Sequence, residues 1–437
     1  MSAVLQPAGS PLGRTIVDAA FLADPYPTYA ELREAGPIHW SDEFFGGAWV
    51  LSHHADVEAV LRDDSRFSAQ RTGGWVMDLG DLGRGGEIAG PEQTGAVPRA
   101  ELQDFQSLFA RAMLFVDAPD HQRLRGAMNA GFRGEALERL RPAIERWVED
   151  KLDALETSGQ ARAGFDFMAE FARPLPAHVI TTMMDIAEPD RGEFMAWSDD
   201  LADFIGAPQP TAELLRRARR SLQAMARYFE QITAQRRRQP GDDLVSRLVQ
   251  AEAAGQIQAG PELLAQCAML LFAGHETTRN VLGNGLHTLL AQPDRWQRLR
   301  DEPALLPGAV RELLRYESPV QYTGRRVKAD LVLHGRLLKR GDLVVALIGA
   351  ANRDPARYEQ PDVCDLARSS GGLLSFGAGP HVCIGALLTQ LEAQLLFTQL
   401  LRRWPGLRLT DAEARWNANP VYRGLASLRV IDRTPRA

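Results

Sequence analysis

The chain has 437 residues, of which 45% are hydrophobic and 24% charged, proportions typical of a globular protein with a large core. A net charge of −6 argues against a basic nucleic-acid-binding surface, so we expect no nucleic-acid partner. We expect neither a membrane span nor a signal peptide, because no apolar run approaches roughly 18 residues and the start lacks a basic and then apolar pattern. Three unclustered cysteines, Cys267, Cys364 and Cys383, provide no disulfide framework, which predicts a cytoplasmic protein.

Helical patterns dominate the chain. Helices are predicted from Pro142 onward, over 214–238, over 261–290, over 307–317 and after Cys383. The first half of the 261–290 helix is apolar nearly all round, which places it in the core rather than on the surface. The main β pattern lies at 325–348, where LVLHG, a short strand, a turn at 340–342 and LVVALI follow one another and predict hairpin-like pairing.

The strongest chemical signal is the segment 376–385, FGAGPHVCIG. Its glycines let the backbone turn tightly and approach a flat ligand closely. Cys383 stands at the start of a predicted helix, where the helix dipole and free N–H groups favour the thiolate form. Taken alone, the segment also fits a glycine-rich turn with a buried structural cysteine.

The pattern Phe-x-x-Gly-x-His-x-Cys-x-Gly resembles the cysteine-ligand loop of the cytochrome P450 family. Its fixed positions are Phe376, Gly379, His381, Cys383 and Gly385. With three further motifs in the family's order, the resemblance extends from about residue 25 to residue 430. It implies a mainly α triangular-prism fold with a small β region, in which haem b lies between a distal and a proximal core helix. It also implies that the Cys383 thiolate is the axial ligand of the iron and promotes O–O cleavage.

A second motif, AGHETT at 273–278, lies in the middle of the apolar core helix. Gly274 costs that helix about 1 kcal/mol relative to Ala, and we assign Ala273 and Gly274 to the space above the haem. Glu276 and Thr277 form a carboxylate–hydroxyl pair suited to relaying protons to dioxygen, so we interpret them as the catalytic pair. In most helices such a pair is a surface feature, but an uncompensated Glu is costly on a helix this apolar.

A third motif is Glu312-x-x-Arg315, whose two side chains share one helix face and can pair. Alone it is weak, since most such pairs are solvated surface pairs. Followed by YESPV at 316–320, it resembles the family's structural Glu-x-x-Arg helix, in which the pair is buried and joined by an arginine that Arg368 matches. The resemblance implies that these three residues hold the Cys383 loop and are not catalysts.

A fourth motif places His121 and Arg125 four residues apart on a helix, where both can meet one anion. The alternative is a basic solvated face. In the family such a pair binds the haem propionates, together with an arginine matching Arg325 and a histidine matching His381. Arg326 takes the role of Arg325 if the alignment shifts by one residue.

The substrate pocket is predicted to be mainly apolar. Its expected lining residues are Trp75, Met77, Met269, Phe272, Val320, Gln321, Val421 and Tyr422. The first two belong to residues 71–97, a stretch with eight glycines that fits either a surface loop or a segment folding over a ligand. A terpenoid, steroid, fatty acid, macrolide or aromatic compound would each fit such a pocket.

The resemblance implies a monooxygenase that inserts one atom of O2 into a C–H or C=C bond and releases the other as water. Electrons are expected from NAD(P)H through a ferredoxin reductase and a separate ferredoxin. Two alternatives stay open: a peroxide-driven haem-thiolate oxygenase, which the Glu276–Thr277 pair disfavours, and a non-catalytic haem sensor or carrier. We predict one interleaved haem-thiolate domain over residues 1–437, because the propionate donors come from distant parts of the chain.

Overall fold

The computed structural model describes residues 12–44, 47–70, 108, 110–207, 211–369, 371–410 and 415–435. The helices in chain order are α1 (Ala19–Ala23), α2 (Tyr26–Ala35), α3 (His54–Arg62), α4 (Asp120–Asn129), α5 (Gly134–Glu138), α6 (Arg141–Thr157), α7 (Gln160–Ala163), α8 (Pro174–Met183), α9 (Arg191–Gly206), α10 (Ala212–Arg238), α11 (Leu244–Ala253), α12 (Pro261–Leu290), α13 (Pro293–Asp301), α14 (Leu306–Tyr316), α15 (Ile348–Ala351) and α16 (Ala386–Arg403). Short 3-10 turns lie at Met113–Phe115, Ala130–Phe132, Glu188–Asp190, Pro303–Leu305 and Gly379–His381, and a π turn lies at Met168–Ala172. The described fold is therefore mainly α.

The strands are short and form small sheets. They are β1 (Ile38–Ser41), β2 (Ala48–Leu51), β3 (Phe67–Ser68), β4 (Phe165–Asp166), β5 (Tyr322–Val327), β6 (Leu331–Leu333), β7 (Arg336–Leu338), β8 (Leu343–Leu347), β9 (Leu407–Leu409), β10 (Arg415–Trp416), β11 (Leu425–Ser427) and β12 (Arg429–Asp432). The largest sheet has the order β1-β2-β8-β5-β3, in which only the β2–β8 pair is parallel. The others are β4-β12-β9, β10-β11 and the hairpin β6-β7.

The core helix predicted over 261–290 is α12, which begins and ends at those residues. Pro261 occupies its first turn, where a missing backbone N–H costs nothing. The helix is buried along most of its length because α8, α9, α10, α14 and α16 pack around it. The helices predicted over 214–238 and 307–317 are confirmed within two residues as α10 and α14.

The predicted β hairpin is confirmed for β6 and β7 but is wrong for β8. His334 and Gly335 join β6 to β7, both with positive φ. Strand β8 pairs instead with β5 on one side and β2 on the other. All five residues of β8 are buried, as expected of a central strand covered on both faces. This places β5, with Arg325, inside the largest sheet.

The buried apolar residues form two core clusters. The larger surrounds α12, and the smaller lies between the largest sheet and α3, where Leu61 and Val344 pack with Ala378 of the Cys383 loop. In the part of the chain that the structure describes, no helix has the length and apolarity to cross a lipid bilayer. The predicted loop over 71–97 lies outside the described residues.

A buried ion cluster connects α14 to the chain that leads to Cys383. Arg315 Nε lies 2.7 Å from Glu312 Oε2, and both side chains are fully buried. Arg368 Nε donates to Glu312 Oε1 at 3.1 Å. Arg315 also donates to three backbone oxygens between 352 and 363. The cluster therefore binds the segment after α15 onto α14.

Asn352 extends this cluster towards the Cys383 loop. Its Oδ1 accepts the Leu374 N–H at 2.9 Å, and its Nδ2 donates to the hydroxyls of Ser318 and Ser375, each at 2.8 Å. All of these groups are buried. The hydrogen bonds of the Asn352 side chain thereby fix the backbone at Leu374 and Ser375, eight to nine residues before Cys383.

Substitution Glu312→Ala should destabilise the protein, because it leaves Arg315 buried without its carboxylate partner. Breaking a buried pair in this way costs about 3–5 kcal/mol. The measurement is the free energy of unfolding in denaturant. The matched control is Glu302→Ala, whose side chain is 56% exposed and pairs with Arg298 at the surface. A Glu312→Ala variant no less stable than Glu302→Ala would contradict a structural role for the cluster.

Candidate functional site

The Cys383 loop turns tightly and rests on α3. Gly379 has a φ of 70°, and a Cβ there would lie 2.6 Å from Arg62 Cα and 2.8 Å from the Leu61 oxygen. Only glycine allows the loop backbone to approach α3 this closely. The Cys383 N–H donates to the Phe376 oxygen at 2.8 Å, which closes the loop shortly before α16 begins.

Of the three cysteines, Cys383 is exposed, whereas Cys267 and Cys364 are buried. Desolvation raises the pKa of Cys267 to about 12 and that of Cys364 to about 11, so both remain thiols. Desolvation by the surrounding protein also raises the pKa of Cys383, but the Gly385 N–H and the Arg125 guanidinium act in the opposite direction. The Cys383 side chain is therefore accessible to a ligand, and its neighbours favour the thiolate form.

Helix α4 brings two of the predicted donors against the Cys383 loop. Arg125 Nη1 donates to the Val382 oxygen at 2.6 Å. One turn earlier, the buried His121 ring meets the His381 ring, with centroids 3.9 Å apart. Three of the four predicted propionate donors thus lie together, next to the predicted iron ligand.

Arg325 points into the protein from β5, as expected if successive strand residues face opposite sides. It is 5% exposed, whereas the Arg326 guanidinium donates to the Gly341 oxygen at 2.7 Å in an exposed setting. Desolvation lowers the pKa of Arg325 to about 10, against the opposing charge of Asp117. Among the described residues, no carboxylate lies within ion-pair distance of Arg325.

The chemistry of this group of residues fits a ligand with carboxylates. His121 Nε2 is buried and has no hydrogen-bond partner among the described residues. Desolvation, followed by the charge of Arg125 and more weakly that of Arg325, lowers the pKa of His121. A buried donor and a buried guanidinium are both costly unless an anion meets them. The two propionates of a haem next to Cys383 would meet this requirement.

In the middle of α12, Ala273 is exposed although residues 262–272 are all buried. One turn later, the Thr277 hydroxyl donates to the Ala273 oxygen at 3.1 Å. Gly274 packs on Ile180 of α8, where a Cβ would lie only 3.4 Å from that side chain. A core helix with one exposed alanine and one partly exposed hydroxyl borders an internal space at this point.

Glu276 is nearly buried and lies beside Thr277 in the chain. Its Oε2 lies 3.0 Å from Arg279 Nη1, and its Oε1 accepts the Asn280 amide at 3.1 Å. Desolvation raises the pKa of Glu276 to about 7, although Arg279 and the Asn280 hydrogen bond lower it. An acid with a pKa near neutrality is suited to both accepting and releasing protons.

Several predicted pocket residues lie together. Met269 and Phe272 line a small apolar cavity with Phe115 and Leu201. Phe272 also meets the Tyr422 ring edge-on, with centroids 6.1 Å apart. The neighbourhood of these residues is therefore apolar and aromatic. Trp75 and Met77 lie outside the described residues.

The chain segments that contain Val320 and Val421 pair with each other. The side-chain amide of Gln321, in contrast, does not face the apolar group around Phe272. Val320 and Tyr422 form an isolated β bridge, and the Val421 oxygen accepts the Gln321 N–H at 2.8 Å. The buried Gln321 amide is held by the Tyr29 hydroxyl at 3.0 Å and by a backbone oxygen at 2.7 Å. These hydrogen bonds hold the Gln321 amide in the core. The amide is therefore not a polar group of the predicted substrate pocket.

The sequence analysis missed the partners that hold Glu276. Arg279 and Asn280 stand three and four residues after it, a spacing that already indicated contact on one helix face. Asp199, which lies 3.4 Å from Arg279 Nη1, belongs to α9. No local sequence pattern relates α9 to α12, so the contact between Asp199 and Arg279 could not be predicted without the tertiary structure.

Comparison with known proteins agrees with this architecture. The family model for cytochrome P450 matches residues 90–406. Cytochrome P450 107B1 of Saccharopolyspora erythraea is 38% identical over 417 residues, covering 94% of this chain and 96% of the relative. Cytochrome P450 monooxygenase PikC of Streptomyces venezuelae is 35% identical over 415 residues, covering 94% and 91%.

A solved structure of similar fold is P450BioI in complex with hexadec-9Z-enoic acid ligated acyl carrier protein. It is 33% identical, with a TM-score of 0.82, and the match covers 95% of this chain and 100% of that one. The mainly α fold with a small β region is thus the one that the sequence predicted. The chain belongs to the cytochrome P450 family, whose members are oxidoreductases that bind haem iron through a cysteine thiolate.

Proposed function

We propose that this protein inserts one atom of O2 into a C–H or C=C bond of a largely apolar organic substrate. In this proposal, electrons come singly from a separate ferredoxin, which a ferredoxin reductase reduces with NAD(P)H. The observation that carries the proposal is the position of a nearly buried acid of pKa about 7, Glu276, next in the core helix to Thr277, whose hydroxyl lies at the exposed Ala273. A protein that only carried or sensed haem would need neither group.

In the proposed site, Cys383 would supply the thiolate that binds the haem iron. Haem b, when bound there, would supply the activation of O2, one atom of which enters the substrate while the other leaves as water. His121, Arg125, Arg325 and His381 would hold the propionates. Ala273 and Gly274 would border the haem, while Phe376, Gly379 and Gly385 shape the loop around the thiolate.

The roles proposed for α12 follow from its geometry. The Thr277 hydroxyl lies next to the exposed Ala273 and can hold a water in the internal space. Glu276 exchanges protons with that water and with solvent. A peroxide-driven oxygenase receives its protons with the peroxide and has no need of a supply of protons from solvent. The pair therefore favours an O2-dependent monooxygenase.

Substrate class, domain organisation and location complete the proposal. Met269 and Phe272 line an apolar cavity, and Phe272 contacts Tyr422. With Val320 and Val421 these residues are proposed to form an apolar pocket, which suits a hydrocarbon-rich substrate. The hexadec-9Z-enoic acid in the P450BioI complex is a molecule of this type. We further propose a single interleaved domain over the whole chain, since α4, β5, α12 and the Cys383 loop contribute to one site. The cysteine usage favours the cytoplasm.

The ligand assignment predicts the spectrum of the reduced carbon monoxide complex. The protein should show the strongly red-shifted Soret band of thiolate-ligated haem, and Cys383→Ser should abolish it because an alcohol is not a thiolate. Cys267→Ser and Cys364→Ser, which change buried thiols elsewhere, should retain the band. A thiolate spectrum that survives Cys383→Ser would refute the assignment.

The proton relay predicts how Thr277→Ala behaves. The thiolate and the apolar pocket remain, so substrate binding and the carbon monoxide spectrum should stay near those of the unchanged protein. NAD(P)H should still be consumed, but its electrons should end mostly in hydrogen peroxide, because protons no longer arrive under the control of the hydroxyl. The measurement is product formed per NAD(P)H oxidised, with peroxide quantified in the same samples.

Thr278→Ala is the matched control for this experiment. The Thr278 hydroxyl is buried against Thr389 of α16 at 3.1 Å, away from Ala273. Its loss should leave the ratio of product to NAD(P)H largely unchanged. Equal ratios in Thr277→Ala and the unchanged protein would exclude Thr277 as the relay alcohol and favour the peroxide-driven alternative.

A further inference from the structure

Two of the predicted pocket residues, Val421 and Tyr422, lie in a turn at residues 419–424, here termed the C-terminal turn. The Tyr422 ring meets Phe272 of the apolar cavity edge-on. The next residue, Arg423, is charged and yet only 5% exposed. We propose that Arg423 is a positioning residue, which holds the C-terminal turn in place as a wall of the substrate pocket and so sets how tightly a large apolar molecule binds. The proposal rests on the assignment of Tyr422 to the substrate pocket in the proposed function.

The backbone of the C-terminal turn is fixed against the chain that follows α14. The Arg423 N–H donates to the Pro319 oxygen at 3.0 Å, and the Val421 oxygen accepts the Gln321 N–H at 2.8 Å. These two hydrogen bonds flank the β bridge between Val320 and Tyr422. The register of the turn against the chain after α14 is therefore set at Arg423 and the two residues before it.

The C-terminal turn also fits closely against the core helix α12. Asn284 Nδ2 donates to the Arg423 oxygen at 2.9 Å. A Cβ at Gly424 would lie 1.9 Å from Asn280 Oδ1, so any side chain at this position would have to displace Asn280. A movement of the backbone at Arg423 would therefore change how the turn packs on α12, the helix that also carries Phe272.

The Arg423 guanidinium joins the C-terminal turn to α1 and to the end of α14. Its Nε donates to Glu317 Oε2 at 2.9 Å. Its Nη1 and Nη2 donate to the Leu22 and Ala23 oxygens, each at 3.1 Å. These are the last two carbonyls of α1, which have no partner within the helix. The planar group also lies over the Trp416 ring, 3.6 Å from its centroid. One side chain thus connects the turn to three distant segments.

Glu317, the acidic partner of Arg423, is nearly buried and has further partners. Its Oε1 lies 3.4 Å from Arg353 Nη2, and its Oε2 accepts the Tyr26 hydroxyl at 3.2 Å. The Arg353 guanidinium lies over the rings of Tyr26 and Tyr316, 3.4 Å and 3.8 Å from their centroids. Loss of the Arg423 guanidinium would leave Glu317 with Arg353 and Tyr26. We therefore expect such a variant to fold while the C-terminal turn loses its attachment.

The test measures the binding of two haem-iron ligands of different size to the holoprotein. Imidazole can reach the iron without filling the pocket, whereas 1-dodecylimidazole carries an apolar chain that the pocket must accommodate. Both shift the Soret band, so each affinity is obtained by titration without turnover. Arg423→Gln should weaken binding of 1-dodecylimidazole by about tenfold, because the turn no longer packs firmly on the chain. Imidazole binding and the carbon monoxide spectrum should stay unchanged.

A double-substitution cycle with Tyr422→Ala shows whether Arg423 acts through the turn. If it does, the two losses are not additive, and Arg423→Gln should cost little further affinity for 1-dodecylimidazole when Tyr422 is already Ala. Arg423→Lys keeps the charge opposite Glu317 but lacks the planar fork, so it should recover part of the affinity. Should Arg423→Gln yield no holoprotein, Trp416→Leu removes the ring under the guanidinium and should give a smaller loss that Tyr422→Ala also cancels.

Arg236→Gln is the matched control, because Arg236 is 8% exposed and its Nε lies 2.9 Å from Asp243 on elements outside the C-terminal turn. It should lower stability and leave the ratio of the two affinities unchanged. An unchanged ratio in Arg423→Gln, an equal fall in Arg236→Gln, or full additivity with Tyr422→Ala would overturn the positioning role. Failure of the unchanged protein to bind either ligand would instead overturn the proposed haem site, and this proposal with it, so the two failures are distinguishable.

Discussion

The position of the Cys383 loop depends on the ion cluster of Glu312, Arg315 and Arg368. Charges buried this completely are tolerated only when each is paired and hydrogen-bonded. Glu312 accepts from both guanidiniums, and Arg315 also donates to three backbone oxygens of the segment between 352 and 363. That segment cannot shift without removing three hydrogen bonds from a buried cation. The proposed iron ligand thus inherits its position from an interaction that has no part in the chemistry.

Helix α12 has two requirements that conflict locally. As the centre of the core it is apolar and tightly packed, and Gly274 lies against Ile180 of α8. As the border of the site it needs room, which the exposed Ala273 provides, and a hydroxyl, which Thr277 provides. The nearly buried Glu276 is stable there only because Arg279 and other polar groups surround it. Departures from simple core packing are concentrated in these few residues, as expected at functional positions.

Local patterns and long-range contacts differ in how well the sequence predicts them. The ends of α12 and the Glu312–Arg315 pair follow from helical spacing and flanking residues, and both could be predicted. The pairing of β8 with β2 joins segments almost 300 residues apart, and no local pattern specifies it. The same applies to Gln321, which was assigned to the pocket because it follows the Glu-x-x-Arg helix but whose amide is engaged by Tyr29. Hydrogen-bond satisfaction in the folded protein decided its direction.

The cationic group beside the Cys383 loop links cofactor binding to the stability of the fold. His121, Arg125 and Arg325 come from α4 and β5. Desolvation lowers the pKa of each, and the charges of Arg125 and Arg325 lower that of His121 further. A ligand carrying two carboxylates would bring opposite charge to the two guanidiniums and a partner to His121 Nε2. Any ligand that binds only the folded state stabilises it. In the proposed site, haem binding would therefore offset the cost of burying these groups.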